Sequence, residues 1–193
     1  MKVTNPMASK NRFRLMVIAV TGLAWMGAAH AQQADMSFFV TSAGKGNGAD
    51  LGGLDGADAH CLALAKASGS AKANWRAYLS TALPGGDAGV NARDRIGKGP
   101  WYNAKGVMIA KSVEDLHSDS NAITKQTALT EKGDTVSGRG DAVNAHDMLT
   151  GSDPQGMYST AGGDTTCGNW TRAETDQPLW AITTAPASKT RGT

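Results

Sequence analysis

The stretch Ser37-Phe-Phe-Val-Thr-Ser-Ala-Gly-Lys-Gly-Asn-Gly-Ala-Asp-Leu-Gly-Gly-Leu-Asp-Gly-Ala-Asp-Ala-His-Cys61 decides how the chain is read. Ser37–Thr41 is aromatic and β-branched and predicts a short strand. Gly44 to Gly53 predicts a loop. Asp55 to Ser68 predicts a helix, with Asp55 near its N-cap and Gly69 placed to end it. Ala57, Cys61, Leu64 and Ala65 recur at helical spacing and form its apolar face. Strand, glycine loop and helix together have the outline of a phosphate cradle. The details oppose it. A P-loop needs a lysine followed by Ser or Thr, whereas Gly46 follows Lys45. A dinucleotide fold starts its helix at the third glycine, and here several residues separate Gly48 from the helix. The glycines are read as turn formers, with no nucleotide implied.

The residues before this stretch read as an address. Lys10, Arg12 and Arg14 precede an uncharged apolar run, Leu15 to Ala29, and Ala29-His30-Ala31 supplies a small-x-small cleavage site. Residues 1–31 are therefore expected to be a signal peptide. The run is shorter than the ~20 residues of a comfortable membrane span, so no span is expected after cleavage; a retained anchor is the alternative. The product is then exported, periplasmic or extracellular. Of the 19 basic residues, four lie in this leader and none of the 17 acidic ones does. What remains is slightly acidic, with no basic patch to suggest nucleic acid. Roughly 160 residues suffice for one domain with a core. Cys61 and Cys167, the 2 cysteines, are disulfide candidates in an exported chain.

Downstream, Trp75–Leu79 alternates apolar and polar residues and predicts a strand. Pro84 to Gly89 is an exposed turn. Val107–Ala110 is a short strand, joined to Trp101-Tyr102 by a hairpin through Asn103 to Gly106. Val113 to Asp119 fits one helical turn. Lys132 to Asp164 is polar, glycine-rich and aperiodic. Short strands, one clear helix and long loops make an α+β class.

Chemical motifs are sparse. His60, His117 and His146 are far apart and lack metal-ligand spacing. Asp141, Asn144, Asp147 and Asp153 crowd the polar loop without EF-hand spacing, and solvated turn residues are the plainer reading. The charges around Glu114, Asp115, His117 and Asp119 show no motif of a catalytic site. There is no nucleophile elbow, and neither cysteine has a context that lowers its pKa. No enzyme and no resident cofactor is expected. Arg139-Gly-Asp141 and the sequon Asn169-Trp-Thr171 are short enough to arise by chance.

Five pieces in order, Phe38–Cys61, Arg76–Thr81 (RAYLST), Asn91–Gly106 (NARDRIGKGPWYNAKG), Leu149–Gly156 (LTGSDPQG) and Cys167–Thr171 (CGNWT), resemble an exported bacterial lectin-like family. That family belongs to the C-type-lectin-like and endostatin-like superfamily. The resemblance covers roughly residues 36–172. It implies short twisted antiparallel strands flanked by helices, with long loops, in a domain spanning residues 32–172. It implies a non-enzymatic binding module for carbohydrate or another surface ligand. A structural or adhesive envelope protein that meets another protein through its loops is the alternative. Calcium-dependent members use Glu-Pro-Asn or Gln-Pro-Asp plus Trp-Asn-Asp. This chain has Asp153-Pro-Gln155 and Asn169-Trp-Thr171, so the calcium site is not carried over. A sugar site is expected among Asn144, Asp147, Asp153, Asn169 and Trp170. Trp170 is either a stacking platform or a core residue.

Residues 173–193 depart from the family, forming an atypical C-terminal tail. Relatives continue with a Gly-His-His-Asp-Arg stretch and two more cysteines. Their cysteines look nested, the helix one with the last and the inner two together, which leaves Cys61 without its family partner here. Trp180-Ala-Ile-Thr-Thr-Ala185 can be encoded as TGG GCC ATC ACG ACC GCC. After a leucine codon ending in G, the neighbouring frame reads Val-Gly-His-His-Asp-Arg. A frameshift before Trp180 is thus one origin of the tail, and ordinary divergence is the other. Reading the gene separates them: the frameshift expects codons for Leu179 to Ala185 that yield this peptide one base away.

Overall fold

The computed structural model describes residues 36–173, apart from Asp87 and His146. The signal-peptide expectation and nearly all of the atypical tail therefore lie outside the described residues. The elements in order are α1 (Gly53–Ala67), β1 (Thr81–Ala82), β2 (Ala88–Val90), α2 (Ala92–Arg95), β3 (Trp101–Tyr102), β4 (Met108–Ala110) and α3 (Val113–Leu116). A last four-residue turn, Cys167–Trp170, follows. The strands form two separate antiparallel hairpins, β1 with β2 and β3 with β4, each with a register irregularity. The class is α+β.

Helix α1 lies close to its expected position. It starts at Gly53 rather than Asp55, so Asp55 sits in the first turn, where a carboxylate complements the helix dipole. Gly69, at φ 92, ends it. The glycine loop folds tightly onto the start of α1. Lys45 Nζ donates to the Leu51 carbonyl at 2.8 Å. Gly56 is required there, because an added Cβ would lie 2.0 Å from the same oxygen. The lysine of the suspected phosphate cradle thus closes its own loop. Ser37–Thr41 does not form a strand; Val40 makes a single parallel bridge to Thr130. The segment's end is held instead by buried Glu131, whose carboxylate accepts from the Ser42 amide and hydroxyl.

The apolar residues gather in two clusters. One packs Ala49, Ala57, Ala77, Leu79, Cys167 and Trp170, with Leu54 and Cys61 against it. The other packs Trp101, Ile109 and Ala110 against Phe38, Ile96, Val113 and Leu116. Cys61 and Cys167 border the same cluster, yet no disulfide joins them in this structure. Burial and the nearby Asp58 charge push the Cys61 thiol up to about 11, which keeps it protonated and a poor nucleophile at neutral pH.

Trp75–Leu79 is not a sheet strand, and its Leu79 amide turns back to the Ala77 carbonyl at 3.0 Å. From Ala77 to Ala82 many of its peptide groups are paired by side chains. Asp58, on α1 and only 7% exposed, accepts from the Ala77 amide at 2.8 Å. Its other oxygen takes Arg76 at 2.7 Å and Arg95 at 2.9 Å. Arg95 also donates to the Ala77 carbonyl. One carboxylate and one guanidinium therefore join α1, the segment around Ala77 and α2. The helical apolar pattern does not reveal Asp58, because a polar residue is not expected on a buried face.

Burial alone would raise the Asp58 pKa. The Ala77 N–H and the two guanidiniums outweigh it and hold the carboxyl below its ordinary value. The stabilisation from this charge is complete above about pH 4, the unfolded value. It is lost as pH falls through the lower folded value. Asp58→Asn is expected to reduce stability by about 3 kcal/mol at pH 7, because it leaves Arg95 buried without its counter-charge. In urea titrations the gap between wild type and variant should narrow below about pH 4.

Candidate functional site

A cleft of about 340 Å³ opens between the turn after β1 and the segment from Tyr158 to Asn169. Leu83 and Pro84 form one wall; Tyr158, Asp164, Thr166 and Asn169 form the other. The volume is at the small end of the roughly 300–1,000 Å³ typical of small-molecule sites.

The second wall is built on an unusual backbone. Cys167, Gly168, Asn169 and Trp170 have φ of 50, 66, 57 and 66°, so four consecutive residues are left-handed. The resemblance implied a strand here. Each non-glycine residue in this conformation costs roughly 1–2 kcal/mol, and the turn carries three of them. Local bonds hold it. The Trp170 amide donates to the Thr166 carbonyl at 2.7 Å, and Leu51 donates to the Trp170 carbonyl at 2.9 Å. The Asn169 side chain acts as a strand partner for Ala82: Oδ1 accepts from its amide at 2.8 Å, and Nδ2 donates to its carbonyl at 3.0 Å. Trp170 is 0% exposed and donates through Nε1 to the Ser80 carbonyl at 2.8 Å.

Asp164 organises the same wall. One oxygen accepts from the Thr166 amide at 2.9 Å and hydroxyl at 2.8 Å. The other accepts from the Gly168 amide at 2.7 Å and from Arg172 at 2.5 Å. Burial opposes its charge, but the Thr166 groups, the Gly168 amide and Arg172 prevail and hold its pKa below the ordinary range.

The residues expected from sequence are only partly brought together. Asn169 is in the cleft wall. Trp170 lies behind it and offers no open face, so it is a core residue and cannot stack on a ligand in this structure. Asn144 and Asp147 are exposed on the long loop and do not line the cleft. Asp153 does not line it either; its Oδ1 accepts from the Gln155 and Met157 amides, each at 2.9 Å, and shapes a turn. Among the described residues no three His, Cys, Asp or Glu side chains converge as metal ligands. Asp141 of the Arg-Gly-Asp triplet is engaged by Lys125 and the Gly138 amide. Tyr158 and Asp164 escaped the sequence reading. Asp164 had one local signal, a Thr two residues on, which is the spacing of an Asx turn.

No helix among the described residues is long and apolar enough to cross a membrane. No protein-family model, curated protein or solved structure matches the chain.

The turn gives a direct test. Asn169→Gly removes the Ala82 bonds but suits the left-handed backbone, whereas Asn169→Ala loses the bonds and keeps the strain. The alanine variant is expected to lose about 2–3 kcal/mol and the glycine variant about 1 kcal/mol less than that, measured by urea unfolding.

Proposed function

We propose that this chain is an exported, non-enzymatic binding module of C-type-lectin-like fold that takes a carbohydrate or another surface ligand into the cleft between Leu83 and Asn169. The observation that carries the reading is the second wall. A strained left-handed turn is held in one geometry by the Asp164 and Asn169 networks, and it faces a cleft of small-molecule size. Such strain is stored where a surface has to be shaped in advance, and a preorganised wall reduces the ordering cost of binding. The α+β arrangement of short antiparallel hairpins, one long helix and irregular loops is compatible with the fold that the sequence motifs imply. Binding is favoured over catalysis because the acid in the wall, Asp164, is already committed to four hydrogen bonds within the protein.

A second reading, an adhesive envelope protein, draws on one feature. Leu83, at the rim, is 53% exposed, and an open leucine suits a protein partner as well as a sugar face.

A glycan array probed with the purified protein, with and without calcium, tests the first reading against the second. Glycan signals that survive chelation are expected. A blank array, together with recovery of an envelope protein in a pull-down that Leu83→Lys abolishes, would favour adhesion instead.

A further inference from the structure

Resting on the reading of the cleft as a carbohydrate site, the geometry points to Tyr158 as the residue that recognises the ligand, through its phenolic hydroxyl, and to an uncharged sugar as the class that fits.

Four side chains in the cleft walls carry polar atoms: Tyr158, Asp164, Thr166 and Asn169. Three of them are committed to the protein. Asp164 accepts from two Thr166 groups, Gly168 and Arg172. The Thr166 hydroxyl donates to Asp164 and accepts from the Asn169 amide. The Asn169 side chain is joined at both ends to Ala82. Tyr158 differs. Its backbone amide is held by Asn91 Oδ1 at 2.9 Å, and only 7% of the residue is exposed. Yet its hydroxyl makes no hydrogen bond to another described residue. It is also not a buried orphan, since Trp75 Nε1 is the sole unpartnered buried side-chain atom among the described residues. The polar side-chain atom left over among the residues lining the cleft is therefore the Tyr158 hydroxyl. A phenol both donates and accepts, which matches a sugar hydroxyl.

Charge selects the class. The one ionised side chain in the walls, Asp164, is compensated by Arg172 at 2.5 Å. An acidic sugar would find no uncommitted cation there, and a cationic ligand would have to displace Arg172. Leu83, Pro84 and Ala82 supply apolar surface for the C–H face of a pyranose. The small volume has room for one terminal residue rather than a long chain.

The test is saturation-transfer NMR with methyl glycosides of glucose, galactose, mannose and N-acetylglucosamine, alongside glucuronate and sialic acid, using wild type and Tyr158→Phe. Because the hydroxyl has no internal partner, Tyr158→Phe is expected to melt within about 1 °C of wild type. Expected are binding of at least one neutral glycoside by wild type and about tenfold weaker binding by the variant. Undiminished neutral binding by Tyr158→Phe, or binding of acidic sugars alone, overturns the inference and leaves the carbohydrate reading standing. A wild-type protein that binds none of these sugars overturns both.

Discussion

The structure depends on how the segment Ala77–Ala82 satisfies its peptide groups. The segment runs through the middle of the larger apolar cluster, where an unpaired amide or carbonyl costs about 1–3 kcal/mol. A sheet would answer this need with neighbouring strands. Here Asp58 takes the Ala77 amide, Arg95 the Ala77 carbonyl, Trp170 the Ser80 carbonyl and Asn169 both groups of Ala82. Backbone contributes too, since the Ser80 amide donates to the Thr150 carbonyl. These partners come from α1, α2, the loop at Thr150 and the left-handed turn. Pairing the segment therefore positions α1, α2 and the left-handed turn at the same time.

This arrangement explains what could be read from the residues and what could not. Helix α1 was legible because its apolar spacing and its terminal Gly69 are local signals. The hairpin through Asn103 to Gly106 was legible for the same reason. Trp75–Leu79 was half legible. Its alternation predicts a strand; two of its apolar residues, Ala77 and Leu79, are buried, but no strand forms. No sheet forms there because the bonds come from side chains tens of residues away, which no periodicity records. Asp58 was invisible because a buried carboxylate is intelligible only once Arg76 and Arg95 are seen around it. At the cleft, Asn169 was found and Tyr158 was not. The tyrosine gains its meaning from being the wall residue whose polar atom is left over, and that is a property of the assembled site.

The cleft and the core are also not separate structures. The left-handed turn supplies the Asn169 and Trp170 side chains that pair Ala82 and Ser80. Asn169 lines the cleft and clasps Ala82 with its side-chain amide. Trp170, next along the chain, turns inward and reaches Ser80. A change in the wall is therefore transmitted to the core within one or two residues, and the wall inherits the rigidity of the packing behind it.

The use of side chains as strand partners has a bearing on solubility. A β-segment with open peptide groups is a template on which a second copy can add itself, edge to edge. Ala77, Ser80 and Ala82 present few such openings, because carboxylate, guanidinium, indole and carboxamide groups already occupy them. The regular strands that remain are only two or three residues long, too short to seed a growing ladder. Among the described residues, the side chains that fold the Ala77–Ala82 segment thus also leave it few open peptide groups for a second copy to pair with.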